Sequence, residues 1–323
     1  MKRREFIAGA VAWPVAARGQ QAGVPVIGRL DFGSPRTPDP FSLSQGLAEA
    51  GFVPGRNVAI ESRWANLQQP LLPQLAAELV SRQVAVIVTS GSPYAAVAAK
   101  AATSTIPIVF MLSSGDDPIK YGLVASFNRP GGNVTGVSAP GLAGKQLNLL
   151  LELVPQVTTV GYLSGPRESR VFEEKRSDVL AVGGALGREI IVLEVRDLDF
   201  ETAFATLIER GAGALIVGNY TLFNPSRNRA KIFELAARHR IPAIYPLRQF
   251  AVDGGLMSYS GDLKEISRVG VQYIVPILKG TKPADLPVQQ PTKFELVINL
   301  KTAKALELEV APTMLAIADE VIE

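Results

Sequence analysis

The feature that most constrains this chain is a rhythm. Short runs of β-branched and aliphatic residues alternate with longer segments whose apolar residues recur every three or four positions. Val84-Ala85-Val86-Ile87-Val88 is apolar throughout, as a strand covered on both faces requires. The segment before it, Leu71 to Arg82, places Leu72, Leu75, Ala76 and Leu79 on one helical face. The same alternation gives strands at 24–30, 58–62 and 106–111 and helices at 41–51 and 94–103. Strand, helix and strand in this order close by right-handed crossovers into a doubly wound parallel sheet.

The cycle restarts after the turn-rich stretch Asn128-Arg129-Pro130-Gly131-Gly132-Asn133. Helices are predicted at 145–154, 172–186, 200–210 and 226–239, and strands at 159–163, 189–195, 214–217 and 241–245. A helix over 262–279 carries Ile266, Val269, Tyr273, Ile274 and Ile277 on one face, and Lys293 to Asn299 alternates like a strand. With 323 residues there is chain enough for two cores. The expected fold is α/β, with two Rossmann-like lobes and mainly parallel sheets. One lobe takes 22–138 plus 262–286, the other 139–261 plus 287–323. A chain that passes between lobes more than once forms a hinge rather than a tether.

Residues 1–21 read as an address. Lys2-Arg3-Arg4 precedes the apolar run from Phe6 to Val15, then the small residues around Ala17-Arg18-Gly19, in the three-part order of a secretory signal. The apolar run is too short for a stable membrane anchor. Arg3-Arg4-Glu5-Phe6-Ile7 also resembles a twin-arginine signal, and an ordinary amphipathic first helix is the competing reading. The net charge of +3 is partly the leader's own, so the remaining chain is nearly neutral and lacks the concentrated basic character of a nucleic-acid binder. The chain contains no cysteine, which removes disulfides, thiolate metal sites, thiol catalysis and a lipid-bearing cysteine.

In open α/β sheets ligands bind beyond the carboxyl ends of the strands, so the residues that end each apolar run are the candidates. Asp31 and Phe32 follow the first strand. Ser90, Gly91, Ser92 and Tyr94 follow the third, with Ser92 as N-cap and Pro93 at the first helical position, leaving amides free for a carboxylate or simply capping the helix. Ser113, Ser114, Asp116 and Asp117 follow the next strand, and the serines are preferred as contacts. The two carboxylates could meet a ligand ammonium, or one could cap the next segment while the other faces water. Asn219, Tyr220, Tyr245 and Tyr259 come from the second half, where aromatic rings with polar ends suit a flat ligand or, equally, a core.

Catalytic signals are thin. His239, the one histidine, sits between Arg238 and Arg240 at a helix end, where a cation complements the helix dipole. Gly28 to Gly33 lacks the dinucleotide spacing, and Gly141-Leu142-Ala143-Gly144-Lys145 fails the P-loop spacing. No catalytic residue, metal ligand set or cofactor is assigned.

Several segments taken in order resemble one family. They are Arg3-Arg4-Glu5-Phe6-Ile7, Ile106-Pro107-Ile108-Val109-Phe110, Asp117-Pro118-Ile119-Lys120, Asn128 to Ser138, Gly255-Leu256-Met257-Ser258-Tyr259 and Gln289 to Asn299. Together they are similar to ABC transporter substrate-binding proteins related to the tryptophan- and tyrosine-binding proteins. That resemblance implies a type I periplasmic-binding-protein fold with three crossings between lobes. It also implies a periplasmic monomer, a small ligand such as an amino acid held as the lobes close, a membrane permease as partner, and no enzymatic activity. An α/β enzyme and a ligand-sensing domain are the alternatives. Ser258-Tyr259-Ser260 departs from the family pattern, in which glycine often follows the tyrosine.

Overall fold

The computed structural model describes residues 24–35, 39, 41–113, 115–165 and 170–323. The leader at 1–21 and the candidate Ser114 lie outside the described residues. The first half folds as β1 (Val26–Asp31), α1 (Ser44–Glu49), β2 (Ala59–Trp64), α2 (Leu72–Ser81), β3 (Val86–Gly91), α3 (Pro93–Ala102), β4 (Ile108–Leu112) and β5 (Val134–Ser138). Its strands are all parallel, in the order β2-β1-β3-β4-β5. The expected strand–helix alternation is therefore present, with β5 added where a turn-rich stretch ends.

The chain then forms α4 (Ala143–Leu153), β6 (Thr159–Ser164), α5 (Arg170–Ala185), β7 (Glu189–Glu194), α6 (Phe200–Glu209), β8 (Ala214–Val217), α7 (Ser226–Arg238), β9 (Ala243–Tyr245), α8 (Arg248–Val252) and β10 (Met257–Gly261). It returns through α9 (Leu263–Leu278) and ends with β11 (Phe294–Asn299), α10 (Leu300–Ala305), α11 (Pro312–Ala316) and β12 (Glu320–Ile322). The second sheet runs β12-β11-β10-β9-β8-β6-β7. Only the β10–β11 pair is antiparallel among the described strands, because β11 enters the sheet from the opposite direction after the excursion through α9.

Local chemistry explains several boundaries. The expected helix at Phe41 starts three residues later because Asp39 holds the approach as a turn: its carboxylate accepts the Phe41 N–H at 3.0 Å and its carbonyl the Ser42 N–H at 3.2 Å. Asp199, Asp262 and Asn299 cap α6, α9 and α10 by accepting backbone N–H groups of their first turns. The apolar face of α9, with Ile266, Ile274 and Ile277, buries against the first sheet in one cluster with Val86, Val109 and Val137.

The chain passes from one sheet to the other three times, after β5, after β10 and between α9 and β11. On the last pass Gln289 pairs with the edge of β5: its N–H reaches the Gly136 carbonyl at 3.1 Å and its carbonyl accepts from Ser138 at 2.9 Å. The strand order reverses at the same point in both lobes, between β1 and β3 in one and between β6 and β8 in the other. These are the crevices where doubly wound sheets take ligands.

Gly136 marks the tightest backbone approach beside the crossings. Its φ is +154°, and a Cβ there would lie 2.0 Å from the carbonyl oxygen of Phe110 on β4. Replacing it with alanine forces the β4–β5 ladder apart, and we expect Gly136→Ala to lose about 1–3 kcal/mol of stability. Urea unfolding checks this, and an unchanged midpoint would contradict the packing described.

Candidate functional site

The first lobe's wall is built at the ends of β1 and β3. Asp31 and Ser90 are register neighbours on adjacent strands, both buried, and the Ser90 hydroxyl donates to Asp31 Oδ2 at 2.7 Å. Asp31 Oδ1 accepts the Gly33 N–H at 2.8 Å, which fixes the turn that brings Phe32 beside Tyr94 in an edge contact at 5.5 Å. Gly91, with φ +79°, then redirects the chain into Ser92. Ser92 caps α3, its hydroxyl accepting the Tyr94 N–H, with Pro93 supplying a fixed φ and no N–H to satisfy.

The second lobe's wall begins where β8 ends. Asn219 reaches across and donates from Nδ2 to the Ser113 carbonyl of the first lobe at 3.3 Å. A short 3₁₀ turn at Thr221–Phe223 follows, and Asn224 keeps a buried Oδ1 with no hydrogen-bond partner among the described residues. Between the walls is a cleft lined by Asp31, Phe32, Phe41, Ser90, Gly91, Ser92, Ser113, Asn219, Thr221, Asn224, Leu247 and Leu263. In this arrangement the space left between the walls is about 10 Å³, enough for about one water, so a ligand has to part them to enter.

Beside the cavity lies a second cross-lobe contact. Asp116, in the loop after β4, is buried and ion-paired at 3.4 Å with the equally buried Lys175 on α5 of the other lobe. Burial pushes the Asp116 carboxyl up, and the Lys175 ammonium partly opposes that shift. The Asp116 carbonyl accepts the Ser138 hydroxyl at 2.9 Å, tying the loop to the first crossing. Nearby, the Ser164 hydroxyl donates to Tyr220 at 3.0 Å; burial, set against that bond, leaves the Tyr220 hydroxyl pushed up to about 12.

The structure thus gathers Asp31, Phe32, Ser90, Gly91, Ser92, Ser113 and Asn219 around one cavity. The expected ring of tyrosines does not form there. Tyr245 is buried in the second lobe, stacked on Phe250 at 5.5 Å and edge-on to Phe233 at 5.2 Å. Tyr259 is in the middle of β10, stacked on Phe294 at 6.0 Å. Tyr220 is buried against Phe223 at 5.6 Å with its hydroxyl bonded to Ser164, and Tyr94 packs behind Phe32. Asp116 is taken by Lys175, and Asp117 accepts the Ile119 N–H at 2.9 Å as a local cap.

Five lining residues were not among the sequence candidates. Thr221 and Asn224 sit a few positions beyond Asn219, and Leu247 two beyond Tyr245, so a wider window after each strand would have included them. Leu263 opens α9 at the second crossing, and Phe41 arrives through the Asp39 turn. Neither carries a local signal. Among the described residues no helix is long and apolar enough to cross a membrane, and no group of three or more acidic or histidine side chains could hold a metal ion.

Comparison with known proteins gives a consistent picture. Residues 42–322 match the family model described as ABC transporter substrate binding protein. The chain is 25% identical over 272 residues to a tyrosine-binding protein of Clostridioides difficile strain R20291, covering 82% of this chain and 75% of that one. Its structure is similar to an ABC domain from Streptococcus pneumonia in complex with L-Trp. There the TM-score is 0.83 and the identity 26%, over 92% of this chain and 99% of that one. A ligand-free, open substrate binding protein with adhesive properties from Clostridium difficile shares the fold, with a TM-score of 0.71 at 21% identity over 93% and 99% of the two chains.

The Asp116–Lys175 pair is testable by linkage. In the closed arrangement Asp116 has a raised pKa, so closure gains by its protonation at low pH and loses that gain as pH rises through the raised value. Lys175→Met strips the compensating cation, and we expect the closed form to weaken by about 3–5 kcal/mol at neutral pH, recovering as Asp116 protonates in acid. Adding Asp116→Asn should restore closure at all pH values. Small-angle scattering of the variants with ligand bound, from pH 4 to pH 7, reads this out, and pH-independent dimensions for Lys175→Met would refute it.

Proposed function

Because this chain belongs to the ABC transporter substrate-binding protein family, we propose that its cavity captures an L-amino acid with an aromatic side chain and that closure over it is the state presented to a membrane permease. The observation that carries this reading is the cleft itself: it lies between two lobes and is lined from both at the crevices where their strand orders reverse. A tyrosine-binding relative and an L-Trp complex support the choice of amino acid. Phe32, Phe41, Leu247 and Leu263 offer apolar surface for a ring, while the serines, Thr221 and the two asparagines offer neutral hydrogen-bonding groups. The buried Asn224 oxygen is in need of a donor.

In this reading 22–138 plus 262–286 and 139–261 plus 287–323 are the moving bodies, and the three crossings are their hinge. Ligand bound to one lobe gains contacts with the other only on closure, so it shifts the open–closed balance by its differential affinity. The chain releases its ligand unaltered rather than turning it over, acts as a monomer, and is exported to the periplasm after loss of 1–21. The arginine pair Arg3-Arg4 makes the twin-arginine route the one to test.

A thermal-shift screen of the purified chain across amino acids, nucleosides and small carboxylates tests the ligand class. At a hundredfold excess over Kd the true ligand adds about 2.7 kcal/mol of stability, and L-tryptophan or L-tyrosine should give the largest rise. Scattering with and without that ligand should show a more compact particle. Stabilisation by nucleosides and by no amino acid would overturn the ligand assignment, and unchanged dimensions would overturn closure.

A further inference from the structure

Among the described residues that line the cleft, Asp31 alone is ionisable. Its carboxylate offers about four acceptor positions. Three are used: Oδ1 accepts from Gly33 N–H, and Oδ2 accepts from the Ser90 hydroxyl and, at 3.3 Å, from Arg29 Nη2. The remaining position belongs to a carboxylate on the cavity wall. A ligand bound here with a cationic group meets the Asp31 counter-charge on that wall.

Arg29 stands behind this carboxylate without lining the cavity. It lies two residues earlier on β1, so the alternation of side chains places it on the same face of the sheet. Its guanidinium sits over the Trp64 ring at 4.7 Å, is buried, and joins Asp31 to Asp39. Nη2 also donates to the Ser90 hydroxyl at 3.3 Å, so Arg29 restrains both groups that face the ligand from β1 and β3. Asp39 in turn fixes the turn that carries Phe41 into the lining. One arginine and two aspartates leave this cluster with one net negative charge, so the wall still attracts a cation.

Resting on the amino-acid reading above, we propose that Arg29 is the positioning residue that makes the site selective for an ammonium-bearing ligand, by holding the Asp31 carboxylate in place to accept the ligand's N–H donors. Asp31 supplies the contact. Arg29 sets its direction and keeps Ser90 and Phe41 in register with it.

Calorimetric titration with three matched probes tests this: L-tyrosine, tyramine, which keeps the ammonium, and 3-(4-hydroxyphenyl)propanoate, which lacks it. The parent chain should prefer L-tyrosine over the propanoate by about 10- to 100-fold, the range expected for one charge-assisted hydrogen bond in an enclosed site. Asp31→Asn should abolish most of that preference. Arg29→Met should reduce it in the same direction, weakening L-tyrosine and tyramine more than the propanoate, and Arg29→Lys, which keeps the charge, should recover part of it. Equal weakening of all three probes in Arg29→Met would make Arg29 a merely structural residue and overturn the proposal, as would an undiminished preference in Asp31→Asn. If the parent binds tyramine but not L-tyrosine, the amino-acid reading fails and the ammonium site stands. If it binds only the propanoate, the ammonium site fails.

Discussion

A parallel strand covered by helices on both faces has no side chain left over for a ligand, and what it can offer is its carboxyl end. That constraint organises both lobes. Val86, Ile87 and Val88 on β3, and Leu215, Ile216 and Val217 on β8, are wholly buried. Hydrogen-bonding groups appear only where those runs finish, at Ser90 and Asn219. Because both sheets reverse their strand order at the same step, each opens one crevice at that edge. The three crossings hold the two edges face to face, and a single buried cluster runs from Phe32 in the first lobe to Tyr220 and Phe223 in the second. The cavity is where two such edges fail to fill the space between them.

The loops at those edges carry three aspartates of the same chemistry and three different uses. Asp31 is held by hydrogen bonds on the cavity wall, Asp116 is neutralised by Lys175 across the lobes, and Asp117 satisfies a backbone N–H in its own turn. Nothing in the residue type separates them. Their partners do, and those partners come from β1, from α5 and from the next two residues of the chain.

This difference accounts for what could be read in advance. The alternation of apolar runs and helical faces carried the two-lobed α/β fold, because burial of both strand faces leaves a local imprint in Val84 to Val88 or Ala214 to Val217. The strand-end rule brought Asp31, Ser90, Ser92, Ser113 and Asn219 to one cleft, since their place depends on their own strand alone. The tyrosines lie elsewhere for two reasons: Tyr245, at its strand end, turns inward onto Phe233 and Phe250, while Tyr259 lies mid-strand because β10 runs on to Gly261, half-buried and stacked on Phe294. Phe41 and Leu263 were invisible for the opposite reason, since a tertiary turn and a lobe crossing bring them in. Arg29 inside a buried strand reads as a misfit until Asp31, Asp39 and Trp64 are seen around it.

The closed arrangement also has to remain responsive to a ligand, and the character of the cross-lobe contacts bears on that. An enclosed ion pair returns roughly what its desolvation costs, so Asp116 and Lys175 contribute little net closing energy while penalising any closure that misaligns them. The Asn219–Ser113 hydrogen bond is similarly modest, since opening exchanges it for water. These polar contacts fix the register in which the lobes meet, beside the apolar cluster that also joins them. A ligand moves the population by the contacts it gains only on closure, and a cleft with Asp31 and several neutral hydrogen-bonding groups among its described lining residues has the means to supply them.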